Sequence, residues 1–460
     1  MTPEHARSAI DAPPHAEAFA RRLQRGRLTR RDSLWLFGVA AAAPALTGCA
    51  TSPVTGERIL AGLTPDDERE IDRRQSPHQF SQDLGPIQDA PVNAYVADVG
   101  ARLDAQAHRR DVPYSYRVLN ANYVNAYTFP AGSVGVTRGI LTELDSEAEL
   151  AALLGHELAH VNARHTAQQQ GQALLAQVAV AGLTIGAAAT DSDWTPLIGL
   201  GGQIGASALL ARYSRTHERE ADALGQEYMV RAGYPADGMV GLHRKLLDEN
   251  ARQPGLLETM FSSHPMSAER LQTAQRLAET RYAASRSASA QRERFMDRTA
   301  SVRALKPTIE ACQRGETAMA KKDWTSAQDQ FTTALRRTPG DYAANLRMAQ
   351  CLQAQRKLTE ARRYADAAHR AYPTEAQAMK LSATLKLAQR EPASALEDLQ
   401  AYERVLPGDP GIAFLKGVSL EGMGRQRPAA EQYAAYLRAT QQGQAAQYAA
   451  SRLRAWGYLR

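Results

Sequence analysis

Residues 146–161 read SEAELAALLGHELAHV and carry a helix start and a metal-ligand pair in one stretch. Ser146 with Glu149 three residues on is a capping-box pattern, so a helix is predicted to begin at Ser146. Leu150, Leu153, Leu154, Leu158 and Val161 then recur at helical spacing and give that helix one continuous apolar face. His156 and His160 stand one turn apart on it and face the same way. Their imidazoles can therefore share one tetrahedral zinc ion. Glu157, next to them, is within reach of a water proton at that ion and is the candidate general base.

Two histidines leave a metal short of donors, and the segment SRTHEREADALG at 214–225 offers the next one. Glu218 and Asp222 are one helical turn apart there. A Glu that binds metal, with an Asp one turn later holding a ligand histidine's other N–H, fits the logic of supported metal ligands. Glu220 competes for the ligand role, but only Glu218 has Asp222 at i+4. Taken alone, the run would read as an exposed, charged helix face. His165 and His217 lie near these motifs without fitting the ligand spacing and are read as surface or packing residues.

Outward from this centre, residues 91–108 show Val92, Tyr95, Val96, Val99 and Leu103 at helical spacing. The period then changes to two in PYSYRVLN and again around Val134 and Val136, with Pro130 and Gly132 as turn punctuation. Two or three strands of a small antiparallel sheet are expected. Residues 172–212 are apolar and rich in Ala and Gly. They read as helices packed on the catalytic domain rather than as a membrane-inserted hairpin, because Gln172, Gln177 and Gln203 intrude. Residues 282–305 carry little apolar periodicity and read as a linker. Beyond them, Pro339, Pro373 and Pro407 are spaced by 34 residues, as are Ala327, Ala361 and Ala395, and Phe331, Ala365 and Leu399. Gly315 and Gly417 fit the small position of a first helix, and Ala429 and Tyr433 extend the register into a fourth unit. This period is that of a stacked helix–turn–helix array.

The chain of 460 residues is 44% apolar and 23% charged, the composition of a folded protein. Its formal charge of +6 is concentrated early, since residues 1–48 carry seven Arg against four acidic residues. With no basic stripe interleaved with aromatics, nucleic-acid binding is not expected. A basic flank, an apolar core from Leu34 to Leu46 and the tetrad LTGC at 46–49 read as an export signal over residues 1–48. The tetrad resembles a bacterial lipobox with Cys49 as the lipidated residue, and Thr29-Arg30-Arg31 resembles a twin-arginine motif, with the Sec route as the alternative. Ala50 after the Cys, by resemblance to the bacterial sorting rule, favours the outer membrane, reached through the periplasm. Cys312 and Cys351 fall in adjacent repeats, where a bridge and two reduced thiols are both open readings.

The set GHELAH, SRxxExEAD and SSHPMSAER resembles the zinc metallopeptidase family that includes the CAAX prenyl protease, the HtpX heat-shock protease and periplasmic BepA-like proteases with C-terminal tetratricopeptide repeats. The resemblance covers residues 65–280 and 306–441. It implies an α+β gluzincin-type domain, mostly helical with a small sheet, followed by an all-α solenoid. It implies one Zn2+ held by His156, His160 and Glu218, with Glu157 as base and Asp222 behind the ligands. It also implies that His264 lines the cleft as a fourth ligand, gate or oxyanion donor, and that Arg270 is either a substrate contact or a structural ion pair. Asn125, Ala126, Pro130 and Gly132 resemble the family's edge-strand region, which can add substrate as an extra strand.

The expected organisation is a signal (1–48), a tether (49–64), a metallopeptidase domain (65–281), a linker (282–305) and a repeat domain (306–460). The expected activity is cleavage of misfolded or stalled outer-membrane proteins, with the repeats binding clients or the assembly machinery. The alternative is a chaperone or assembly factor acting by binding, with a latent peptidase. A scaffold with a purely structural zinc is disfavoured, because three protein ligands leave an open position and Glu157 would have no task.

Overall fold

The computed structural model describes residues 49–173, 213–252 and 258–459. The expected signal at 1–48 lies outside them, as does residues 174–212 of the apolar segment. The chain opens on a hairpin of β1 (Cys49–Thr51) and β2 (Arg58–Leu60). The Gly62 N–H donates to the Ala167 carbonyl, so the expected tether is tied to the segment that follows the histidine helix.

Helix α1 (Pro65–Gln82) starts on a complete capping box between Thr64 and Asp67. Helix α2 (Ala90–Asp104) buries Val92, Tyr95, Val96, Val99 and Leu103, the face its periodicity predicts. Strands β3 (Ser115–Leu119), β4 (Ala126–Thr128) and β5 (Ser133–Thr137) form a sheet in the order β3-β5-β4. Here the expectation is corrected. The sheet is mixed: β4 and β5 make an antiparallel pair, but β3 runs parallel to β5. Period-two patterning fixes which face of a strand is buried and says nothing about its direction relative to its neighbour.

After the short α3 (Arg138–Leu141) comes α4 (Glu147–Asn162), the histidine helix, buried along its whole length. Ser146 caps it and accepts from the Glu149 N–H, while the Glu149 carboxylate accepts from the Asp145 N–H at 2.7 Å rather than from the cap residue. Helix α5 (Arg215–Arg231), capped by Ser214, crosses α4 where two glycines meet. A Cβ on Gly155 would lie 2.9 Å from the Gly225 carbonyl oxygen, and one on Gly225 would lie 2.8 Å from the His156 nitrogen. Only glycine allows this approach, and the approach brings the carboxylates of α5 to the histidines of α4. Helices α6 (Asp237–Arg252), α7 (Glu258–Ser263) and α8 (Ala268–Glu279) close the domain.

Residues 282–305 are not an extended linker. They hold a 3-10 turn (Ala283–Ser287), α9 (Arg292–Arg298) and α10 (Ala300–Ala304). Phe295 and Val302 are buried in the peptidase-side core, and Arg294 pairs with the buried Glu147. Two apolar anchors were too few for a periodic signal, and burial does the rest.

The array follows as helix pairs: α11 (Lys306–Ala320) with α12 (Trp324–Arg337), α13 (Tyr342–Ala354) with α14 (Leu358–Ala371), α15 (Ala376–Ala388) with α16 (Pro392–Val405), and α17 (Pro410–Gly422) with α18 (Gln426–Ala439). Helix α19 (Gln444–Ala455) covers the end. Pro339, Pro373 and Pro407 each sit two residues past a helix end, where proline stops a helix. Gly315 faces the Phe331 ring and Gly417 the Tyr433 ring, each at 2.6 Å from a notional Cβ. The same position is Ala349 and Ala383 where the partner is the smaller Ala365 or Leu399. Cys312 and Cys351 are buried free thiols.

The array docks on the peptidase side through buried polar contacts. Arg138 on α3 makes a two-point ion pair with Asp341, at 2.7 and 3.0 Å, and binds Asn122 Oδ1 at 3.0 and 2.6 Å. Asn122 reaches Glu316, and Ser81 at the end of α1 donates to Glu375 at 2.5 Å.

Candidate metal centre

Four side chains from three elements converge: His156 and His160 from α4, Glu218 from α5, and His264 from the turn between α7 and α8. One donor atom of each lies within 4.8 Å of the others, and all four residues are buried. His156 Nε2 is 3.1 Å from His160 Nε2 and 3.2 Å from His264 Nδ1. Glu218 Oε1 is 3.4 Å from His160 Nε2 and 3.2 Å from His264 Nδ1, and Glu218 Oε2 is 3.6 Å from His156 Nε2. Donors about 2.0–2.1 Å from a tetrahedral zinc stand about 3.3–3.4 Å apart, so these edges fit such an ion. Three imidazoles and a carboxylate are also the donor chemistry zinc takes.

Glu157 is 1% exposed, and neither of its carboxylate oxygens has a hydrogen-bond partner among the described residues. Burial raises its pKa, partly offset by His264 and His156. An unsatisfied buried carboxylate is costly unless something polar is brought to it, and the centre beside it is where that would come from. His264 Nε2 is 3.8 Å from Glu157 Oε1. Burial opposes charge on His264, but Glu218 and Glu157 outweigh it and raise its pKa. Burial opposes the charge of Glu218 too, yet His264 and His160 hold its carboxyl well below the usual range.

Behind the donors lies a supporting layer. Asp222 Oδ1 is 3.0 Å from His156 Nδ1, which leaves Nε2 of that ring for the centre. Arg270 donates to both oxygens of Asp222 at 2.6 and 2.7 Å, lies 2.7 Å from Glu218 Oε2, and donates to the Pro265 carbonyl. Its guanidinium is buried and spent inside the protein. Of the two expectations for Arg270, this is the arrangement of the ion pair and not of a substrate contact. Tyr213 stacks on His160 with centroids 3.8 Å apart.

The edge-strand residues divide. Thr128, Phe129 and Pro130 line a small crevice with His160, Val161 and Arg164, so the end of β4, an edge strand, lies next to the last turn of α4. Asn125 is buried just ahead of β4, with its backbone N–H and carbonyl both engaged by Thr137. Gly132 has φ of +92° in the β4–β5 turn, and a Cβ there would meet Val112 and Tyr114 at 2.7 Å, so its backbone and not the centre demands glycine. Cys49 is exposed in β1. Glu220, the competing ligand, points away to His165.

Sequence reasoning missed three contributors. His165 and His217, read as surface or packing residues, are both interior, and their rings stack at 4.3 Å. His243 on α6 lies 3.2 Å from Asp222. A lone histidine on an amphipathic helix gives no signal of that partnership.

Residues 90–278 match Peptidase family M48, and residues 318–385 match the tetratricopeptide repeat. Residues 90–278 therefore match an M48 peptidase domain, and tetratricopeptide repeats follow it. Over 193 residues it is 31% identical to the beta-barrel assembly-enhancing protease of Yersinia pestis, covering 41% of this chain and 39% of that one. It is 32% identical over 162 residues to the metalloprotease YcaL of Escherichia coli, covering 35% and 60%. With the mitochondrial metalloendopeptidase OMA1 of Schizosaccharomyces pombe the identity is 27% over 250 residues, covering 52% and 69%. The chain thus spans about two-fifths of the length of the first of these relatives. The M48 match contains every residue of the candidate metal centre. Among the described residues no helix is long and apolar enough to cross a membrane.

Proposed function

We propose that the protein is a zinc-dependent endopeptidase in which His156, His160 and Glu218 hold the metal and Glu157 is the general base. The observation that carries this is the convergence of four buried donors at tetrahedral spacing beside a carboxylate with no hydrogen-bond partner among the described residues. A zinc ion held there supplies Lewis acidity to the scissile carbonyl and the attacking water. Glu157 takes the proton from that water and returns it to the leaving amine. The edge of β4 holds the substrate in extended form by backbone pairing, with Thr128–Pro130 forming the wall next to His160.

His264 acts as a gate. Its Nδ1 completes the tetrahedron, and its Nε2 stands against the base, so water and substrate reach the centre when it withdraws. It is also the one donor that sits on a turn rather than on a long helix. The near-complete burial of Glu157 supports a site that is shut at rest.

The substrates proposed are misfolded or stalled outer-membrane proteins, a reading drawn from the relative named for β-barrel assembly. The repeats bind clients or the assembly machinery. The protein is exported by the twin-arginine or Sec route and anchored to the outer membrane through lipidated Cys49. The deciding experiment measures metal content and cleavage of an unfolded outer-membrane protein by the wild type and by Glu157→Gln. We expect the variant to keep one zinc and its fold while cleavage falls by about 10²–10⁴-fold. Undiminished cleavage refutes the assignment of the base. If Glu157→Gln restores a deletion strain and repeat truncation does not, the protein acts by binding instead.

A further inference from the structure

The ring nitrogen of His160 that faces away from the metal centre meets neither a carboxylate nor a carbonyl. His160 Nδ1 lies 2.9 Å from His165 Nδ1, and His165 Nε2 lies 3.2 Å from Glu220 Oε2. We propose that His165 and Glu220 form a hydrogen-bonded relay that fixes the tautomer and orientation of His160, making both of them positioning residues for the metal. The inference rests on the reading that His160 is a metal ligand.

The proton inventory allows one arrangement. If Nε2 of His160 gives its lone pair to the metal, the ring's proton sits on Nδ1. That N–H donates to His165, so His165 Nδ1 is an acceptor and its own proton sits on Nε2. The Nε2–H then donates to Glu220, which accepts as a carboxylate. Each of the two contacts has one donor and one acceptor, and reversing either leaves two protons or two lone pairs facing each other. The neighbouring ligand His156 is held differently, with its Nδ1 directly on Asp222. The two ligand histidines therefore have separate supports.

The backbone is shaped to bring His165 back to His160. Helix α4 ends at Asn162, and Arg164 takes a left-handed conformation with φ of +58°. This is the left-handed residue that commonly ends a helix, and its N–H donates to the Val161 carbonyl. Here the Arg164 side chain is fixed by Glu68 at 2.9 Å and by the Leu63 carbonyl at 2.7 Å. The reversal turns the His165 ring under the last turn of α4. The His217 ring stacks on the His165 ring at 4.3 Å and packs it in place.

Outer-shell partners of this kind typically carry 10–100-fold in metal affinity. The test uses the full chain and measures zinc affinity by competition with a chromogenic chelator, alongside the melting temperature of each metal-free protein. His165→Leu fills the same space without hydrogen bonding, and we expect it to weaken zinc by about 10–100-fold. His165→Gln can accept at its oxygen and donate at its nitrogen, and should bind zinc within about threefold of wild type. Glu220→Ala, on a side chain partly open to solvent, should weaken zinc severalfold with no change in the metal-free melting temperature.

Wild-type affinity in His165→Leu overturns the relay. So does equal weakness in the Leu and Gln variants, which would make the role one of packing. If His165→Leu fails to fold, the Gln and Glu220→Ala variants decide it in the same way. A wild-type protein that binds no zinc refutes the metal reading itself, a result distinct from any of these.

Discussion

Replacing Arg138 by Met would test whether the repeat array is fastened to the peptidase domain through one buried ion pair. Arg138 and Asp341 are both almost fully buried, at 2% and 4% side-chain exposure, and meet at 2.7 and 3.0 Å. Removing one partner of such a pair leaves an uncompensated buried charge and costs about 3–5 kcal/mol. The lower end applies here. Asp341 also caps α13, accepting from the Ala344 N–H at 2.8 Å, so it keeps one partner after the arginine is gone. A loss of about 3 kcal/mol corresponds to about a hundredfold rise in the population of the opened interface. Cys312 reports that opening, because it is a buried free thiol on α11 beside Arg138. We expect alkylation of Cys312, read by peptide mapping in the native protein, to accelerate about a hundredfold in Arg138→Met. In the double variant Arg138→Met, Asp341→Asn the charge is gone but the cap acceptor remains, so about half of the lost free energy should return. Identical Cys312 protection in wild type and Arg138→Met, or a double variant as reactive as the sum of the singles, would refute the argument that this pair holds the interface.

Two further outcomes follow from particular groups. Burial lifts the Asp104 carboxyl to about 6, even though it accepts the Tyr116 hydroxyl at 2.5 Å. A carboxyl raised above its unfolded value costs stability above its folded pKa, and the cost is relieved as pH falls from about 6 towards 4. At full burial that is about 3 kcal/mol, and partial exposure reduces it to about 1 kcal/mol. Asp104→Asn, which still accepts from Tyr116, should therefore melt higher than wild type at pH 7.5 and equal to it near pH 4; a constant difference across that range would argue against the shift. For the gate, His264→Ala should raise cleavage of an unfolded protein while zinc stays bound, and a variant that lost zinc along with activity would make His264 an obligatory ligand.

What the sequence made legible depended on how local each feature is. The histidine helix could be read because its cap, its apolar face and its ligands all fall between Ser146 and Val161. The array could be read because a 34-residue period repeats the same packing problem, and Gly417 answers Tyr433 as Gly315 answers Phe331. Glu218 was reachable because Asp222 follows it by one turn and the two had a shared use. The direction of β3 was hidden, since alternation is the same in parallel and antiparallel pairs. The helices within 282–305 were hidden because their few core anchors, chiefly Phe295 and Val302, are too sparse to give a periodic signal.

The support of His160 was hidden for a different reason. A residue five positions after a ligand, past the end of its helix, would ordinarily point elsewhere, and only the left-handed Arg164 turns it back. The Arg164 side chain is in turn held by Glu68, nearly a hundred residues away on α1, which also binds Arg109 at 2.8 Å. No window of sequence contains both ends of that dependence. The same holds for Arg138 and Asp341, which meet across two domains. The identity of three of the candidate donors, His156, His160 and Glu218, is thus a short-range property of two helices. Their geometry is a longer-range one that also draws on buried groups outside the motifs, and substitutions there are expected to alter metal affinity without touching the motif itself.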